Sequence, residues 1–208
     1  MQTKMFSIYN KVKKMTRYFV SFTLLCLLGA CEAENSISTE YHCQFVFYTN
    51  FHTQTAIEKA LTSTGSFAII TTKYENGAWH VYATLNDGKN ETQNIAMTTA
   101  IEKNINYNLL GANNGIIVGS NGYGGLDGNN AYLAWDRQCP NCIHQYGGTN
   151  YPLTWNQKNR QMVTCAKCQR TYDLNTGAVQ SGAKGNDRAL LGYRIAYDKI
   201  NYKITVWN

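Results

Sequence analysis

Proline is almost missing from this chain, at two residues in 208, and no internal repeat or low-complexity block is present. Charged side chains make up 15%, well below the ~25% usual in soluble domains. Only one apolar run approaches membrane length, which excludes a polytopic membrane protein. The glycine-rich stretch from Gly119 to Gly128 lacks the Lys-Ser/Thr of a phosphate loop, and Asp87-Gly-Lys-Asn90-Glu91 lacks the ligand spacing of a calcium loop. No catalytic constellation can be named: His42 and Cys43 are neighbours, which in a strand face opposite sides, and His52 and His80 have no partner visible in the sequence. Against these absences stand a 44% hydrophobic content, 15 tyrosines, seven cysteines and a net charge of +6. The hydrophobic content rules out a disordered chain, and the length suits one domain or two small ones.

The charge is unevenly placed. Lys4, Lys11, Lys13, Lys14 and Arg17 precede any acid, and Tyr18-Phe-Val-Ser-Phe-Thr-Leu-Leu-Cys-Leu-Leu-Gly29 follows. That run is too short to span ~30 Å of hydrocarbon as a helix but suits the apolar region of a signal peptide. Met15 offers an alternative start. Removing five cations from +6 leaves +1, so the basic character belongs to the leader and nucleic acid is not an expected partner.

Leu28-Gly29-Ala30-Cys31 resembles the lipobox of bacterial lipoproteins. The resemblance implies cleavage before Cys31, lipidation of its thiol and membrane anchoring through the acyl chains. An ordinary cleaved leader with an incidental Cys31 is the alternative. Glu32-Ala-Glu34 stands where an inner-membrane retention Asp is absent, and resembles the surface-export signals of the Bacteroides group. The expected location is the cell envelope, at the outer membrane. The expected organisation is a leader (1–30), a lipidated tether (31–40) and a β domain (41–208).

That domain reads as β-rich. Tyr41–Tyr48 is dense in aromatics, and Phe67–Tyr74 and Trp79–Leu85 flank the hairpin signal Glu75-Asn76-Gly77. Residues 54–63 predict one short helix with Thr53 as N-cap and Gly65 as stop. Gly115–Gly119 and Tyr132–Trp135 read as strands, and alternation at Leu191–Tyr197 and Tyr202–Val206 predicts a closing hairpin. Residues 86–113 give no clear element. Many short strands argue for a sandwich or barrel.

The chemistry lies in Cys139-Pro-Asn-Cys142 and Cys165-Ala-Lys-Cys168. Two thiolates three positions apart on a tight knuckle can face one ion, and a second knuckle completes a tetrahedron. Two disulfides are the alternative that export permits. A Cys142, His144, Cys165, Cys168 set with Cys139 spare is a further one, since Cys142-Ile-His144 reads C-x-H. Cys43 reads as a buried hydrophobe.

Cys165-Ala-Lys-Cys168-Gln-Arg-Thr-Tyr172-Asp173-Leu-Asn-Thr176-Gly177, with a later Gly182, resembles the second cluster loop of Rieske proteins. Leu190-Leu-Gly-Tyr193 resembles their return strand, and the likeness covers residues ~131–207. It implies a mainly β fold: a Rieske-like β-sandwich base carrying an inserted two-knuckle metal subdomain (137–182). It implies electron transfer through a [2Fe–2S] centre held by Cys139, Cys142, Cys165 and Cys168. The departure is that Cys168 stands at the family's histidine position and both loops are C-x2-C. Four thiolates also fit mononuclear iron or zinc, and zinc would be redox-silent and structural, stabilising a surface binding or assembly module. The missing histidines and the missing twin-arginine export signal favour zinc, whereas the family resemblance favours iron–sulfur.

Overall fold

The computed structural model describes residues 37–121 and 132–208. The expected leader, Cys26, the lipidation at Cys31 and most of the glycine-rich loop lie outside these residues. The described elements run β1 (Gln44–Tyr48), α1 (Ala56–Thr62), β2 (Ser66–Glu75), β3 (Ala78–Leu85), β4 (Thr92–Met97), β5 (Gly115–Ser120) and β6 (Tyr132–Asp136). They continue with α2 (Pro140–Tyr146), β7 (Leu153–Trp155), β8 (Met162–Cys165), β9 (Thr171–Asp173), β10 (Val179–Ser181), β11 (Gly192–Asp198) and β12 (Lys203–Trp207). The mainly β expectation holds.

Local chemistry explains most boundaries. Asn76 and Gly77 take φ of +51° and +81°, as a tight hairpin turn requires, and β2 pairs with β3 from Ala68↔Leu85 to Glu75↔Ala78. The helix is shorter than 54–63, and its N-cap is Thr55 rather than Thr53. The Thr55 side chain accepts the Glu58 N–H at 3.2 Å, and Gln54 is excluded by a left-handed φ of +57°. Strand β4 arises in the stretch that gave no clear signal. Its first three residues are exposed and polar, and only Ile95 and Met97 face inward.

Eight strands form one antiparallel sheet in the order β1-β12-β11-β6-β5-β2-β3-β4. Laid flat it would be about 34 Å wide. Phe45 and Phe47 from one edge nevertheless share a buried cluster with Ile95 and Met97 from the other, so the sheet curls around its core. The expected sandwich base is thus a single curled sheet, with α1 packed inside the curl through Ala56, Ile57, Ala60 and Leu61. Residues 37–40, expected as the end of the tether, run against the sheet: Ser38 N–H donates to Gly192 O at 2.8 Å, and Asn208 Nδ2 donates to Ser38 O at 2.9 Å.

The segment between β6 and β11 builds a second, four-stranded antiparallel sheet, β10-β9-β8-β7, preceded by α2. Its inner side packs on the outer face of the curled sheet. Phe67, Ile69, Ile117, Leu133 and Trp135 form a second core there with Leu153, Val163, Tyr172, Leu174 and four cysteines. This explains why β5 is buried at every residue: its two faces serve two cores. Asp136, at the junction, is fully buried and accepts the N–H groups of Ala112 and Gln138 and the Tyr193 hydroxyl, each at 2.7 Å. Burial raises its pKa against the opposing effect of those bonds.

Trp135 joins the two bodies. Its ring is buried in the second core, its Nε1 donates to Leu174 O at 2.9 Å, and a Cβ on Gly177 (φ +74°) would meet the ring at 2.8 Å. Trp135→Ala should therefore cost about 3–5 kcal/mol in urea denaturation. A cost below about 1 kcal/mol would mean that the second core does not depend on it.

Candidate metal centre

The first knuckle straddles the start of α2. Cys139 is its N-cap in extended backbone (φ −70°, ψ 111°), Pro140 occupies the first turn where its missing N–H is harmless, and Cys142 follows one turn on. The second knuckle ends β8: Cys165 is the last strand residue, Gln169 N–H returns to Cys165 O at 2.9 Å, and Gln169 takes φ +63° to complete the reversal. Within each knuckle the leading sulfur accepts main-chain N–H groups. Cys139 Sγ accepts from Cys142, and Cys165 Sγ accepts from Lys167 and Cys168. Backbone donors of this kind favour a thiolate over a thiol.

The two knuckles converge. Cys139 Sγ lies 3.6 Å from Cys168 Sγ and Cys142 Sγ lies 3.6 Å from Cys165 Sγ. All four sulfurs lie within 4.8 Å of one another and could hold a metal ion. None of the four is in a disulfide, so the disulfide alternative is not adopted. Tetrahedral zinc at its usual ~2.3 Å from sulfur would separate its ligands by about 3.8 Å, close to both short pairs. Cys139 and Cys142 are fully buried, Cys165 is 1% exposed and Cys168 8%, a closed site rather than one with an open position. His144 stands exposed on α2, outside the group, while Cys139 lies within it rather than spare. Cys43 is buried elsewhere, its thiol pushed up to about 12 by burial.

The Cys139 thiol is held far above its usual range, first by the Cys165 sulfur and then by burial. Cys165 is held down to about 5, first by the Cys139 thiol and then by its backbone donors and Cys142. Cys142 is pushed up to about 12, mainly by burial. A cation at the centre would replace this arrangement by ionising all four.

Around the sulfurs stands a polar shell that the sequence pattern does not disclose. Tyr172 Oη lies 3.1 Å from Cys139 Sγ and accepts from Asn141 Nδ2 at 2.8 Å. Asn141 also bonds both the N–H and the C=O of Arg188, fixing the first knuckle to the segment that leads into β11. Arg170 is 5% exposed. Its Nε donates to Asp187 Oδ1 at 2.6 Å, and Asp187 Oδ2 accepts the Lys184 N–H at 2.8 Å. The Cys168 sulfur is the main reason the Arg170 pKa is raised, with Asp187 adding to it. Lys167 lies over the Tyr146 ring at 5.2 Å and links the knuckles at the surface. Tyr172 was singled out only by the Rieske likeness, and Asn141, Arg170 and Asp187 carry no motif.

No protein-family model, curated protein or solved structure matches the chain.

Tyr172→Phe removes one hydroxyl from Cys139 and leaves Asn141 its Arg188 carbonyl. It should lower stability by about 0.5–1.5 kcal/mol in thermal or urea melts without changing metal content. Loss of metal in this variant would mean that the Tyr172 hydroxyl supports the centre through Cys139 rather than the fold alone.

Proposed function

We propose that Cys139, Cys142, Cys165 and Cys168 bind one zinc ion, and that this ion is structural: it holds the inserted subdomain against the curled sheet of an envelope lipoprotein. The carrying observation is that all four Sγ atoms lie within 4.8 Å of one another. A [2Fe–2S] cluster places two thiolates on each of two irons across bridging sulfides, so ligands on different irons stand much farther apart than ligands of one ion. The compact group therefore favours a single tetrahedral centre. Its closure from solvent favours a structural ion over a catalytic one. Four thiolates select zinc or iron, and zinc binds readily to a chain that folds after export.

The remainder of the reading rests on sequence. The basic leader, the apolar run and Leu28-Gly29-Ala30-Cys31 support lipid anchoring through Cys31 at the outer membrane. The curled β domain is then the exported module, serving binding or assembly. The Rieske likeness of residues ~131–207 supports the arrangement of base and inserted subdomain, and under this proposal the centre carries no electron.

Metal analysis together with the visible spectrum of anaerobically purified protein tests the proposal. One zinc per chain with no visible absorption is expected. Two irons and two acid-labile sulfides would overturn it in favour of an electron carrier, and one iron with a charge-transfer spectrum would replace zinc by mononuclear iron. Cys165→Ser should lose the metal and unfold the 137–182 region, seen as lost amide-exchange protection there. Unchanged metal content and melting temperature would refute the four-cysteine site.

A further inference from the structure

Four thiolates around a divalent ion leave two excess negative charges in a closed, low-dielectric site, and such charge is tolerated only where a cation or donors stand close by. Lys167 cannot fill this role, since its ammonium lies over Tyr146 at the surface. Arg170 can. It is the residue two positions beyond Cys168, its side chain is almost wholly buried, and the Cys168 sulfur is the foremost of the groups that act on its charge. Its other side is fixed by the 2.6 Å bond from Nε to Asp187, itself anchored by the Lys184 N–H. Its Nη1 is buried without a hydrogen-bond partner among the described protein groups, a costly state for a guanidinium nitrogen. Ionised sulfurs at the centre offset that cost through the field they create. A residue needed only for packing would not bring a permanent charge here, and a carboxylate partner alone would have been met equally well at the surface.

We infer that Arg170, oriented by Asp187, is the built-in counter-charge of the four-cysteine centre and sets its metal affinity through the Cys168 sulfur. The inference rests on the metal reading above. Arg170 is a positioning and charge-balancing residue rather than a ligand. Cys168 is the most exposed cysteine of the four, the one that solvent or a competing chelator would reach first.

The test is a chelator competition on the full, lipid-free soluble chain loaded with zinc, repeated with cobalt(II) to read the thiolate-to-metal charge-transfer band. Arg170→Gln, which keeps donors but not charge, should weaken zinc binding about 10–100-fold, the range for groups that support metal ligands. Arg170→Lys, which keeps charge but not the fork, should recover most of that loss, and Asp187→Asn should fall between. Equal losses in Arg170→Gln and Arg170→Lys would assign Arg170 to packing and overturn the inference, as would unchanged affinity in Arg170→Gln. Failure of both variants to fold in excess zinc would overturn it likewise. A wild-type chain that binds neither zinc nor cobalt would instead overturn the four-cysteine reading itself, so the two failures are distinguishable.

Discussion

The second core is built on sulfur. The inserted segment contributes strands of three or four residues, each too short to bury much apolar surface alone. Leu153, Val163, Tyr172 and Leu174 cover only one side of its sheet, and the cysteines occupy the centre of what remains. Segments of this size seldom hold together without a disulfide or a metal. Among the described residues the outer face of β2, β5 and β6 in turn has no other cover: Phe67, Ile69, Ile117, Leu133 and Trp135 would lose it if the segment lifted off. The convergence of four sulfurs therefore supports the fold of the insert and the solubility of the base sheet together.

The hairpins and the knuckles were legible in the sequence because each is a local pattern. Asn76-Gly77 demands a turn in almost any context, and C-x2-C closes on itself within one peptide reversal. The two-sided burial of β5 was less legible. Gly115-Ile-Ile-Val-Gly119 reads as apolar throughout, which suits either a buried strand or a packed loop, and only the partner on its far side decides. The helix cap was misplaced by two residues because Thr53 and Thr55 are chemically equal; the left-handed Gln54 between them decides, and nothing in its side chain announces that. Strand β4 was missed because half of it is polar and gains its order from pairing with β3.

The polar shell was illegible for a different reason. Asn141 reaches Arg188, and Arg170 reaches Asp187, across separations of 47 and 17 residues. Pairings of that length follow from how the return strand passes the knuckles, not from spacing. The Rieske likeness marked Tyr172 and Gly177, and both positions have physical work: Tyr172 meets Cys139, and Gly177 leaves room for Trp135. Those contacts would serve a zinc site as well as a cluster, so they bear on the shape of the subdomain rather than on its metal.

The position of the insert couples the centre to the whole sheet. Strands β6 and β11 pair directly, at Trp135↔Gly192 and Ala134↔Tyr193, yet residues 137–191 lie between them. Closing so long a loop costs chain entropy, and the antiparallel β1–β12 pairing at the adjacent edge of the sheet is more distant still in sequence. Once the knuckles are joined, the insert leaves and enters the base at neighbouring points: Asp136 N–H meets Leu191 O at 2.8 Å, and Gln138 pairs with Pro152. The long loop is thereby shortened to the stretch between Cys168 and Gly192, and Asp136, buried at the junction, bonds Tyr193 there. An ion bound by the insert would act on the curled sheet through chain connectivity as well as through the shared core, by shortening its β6–β11 closure.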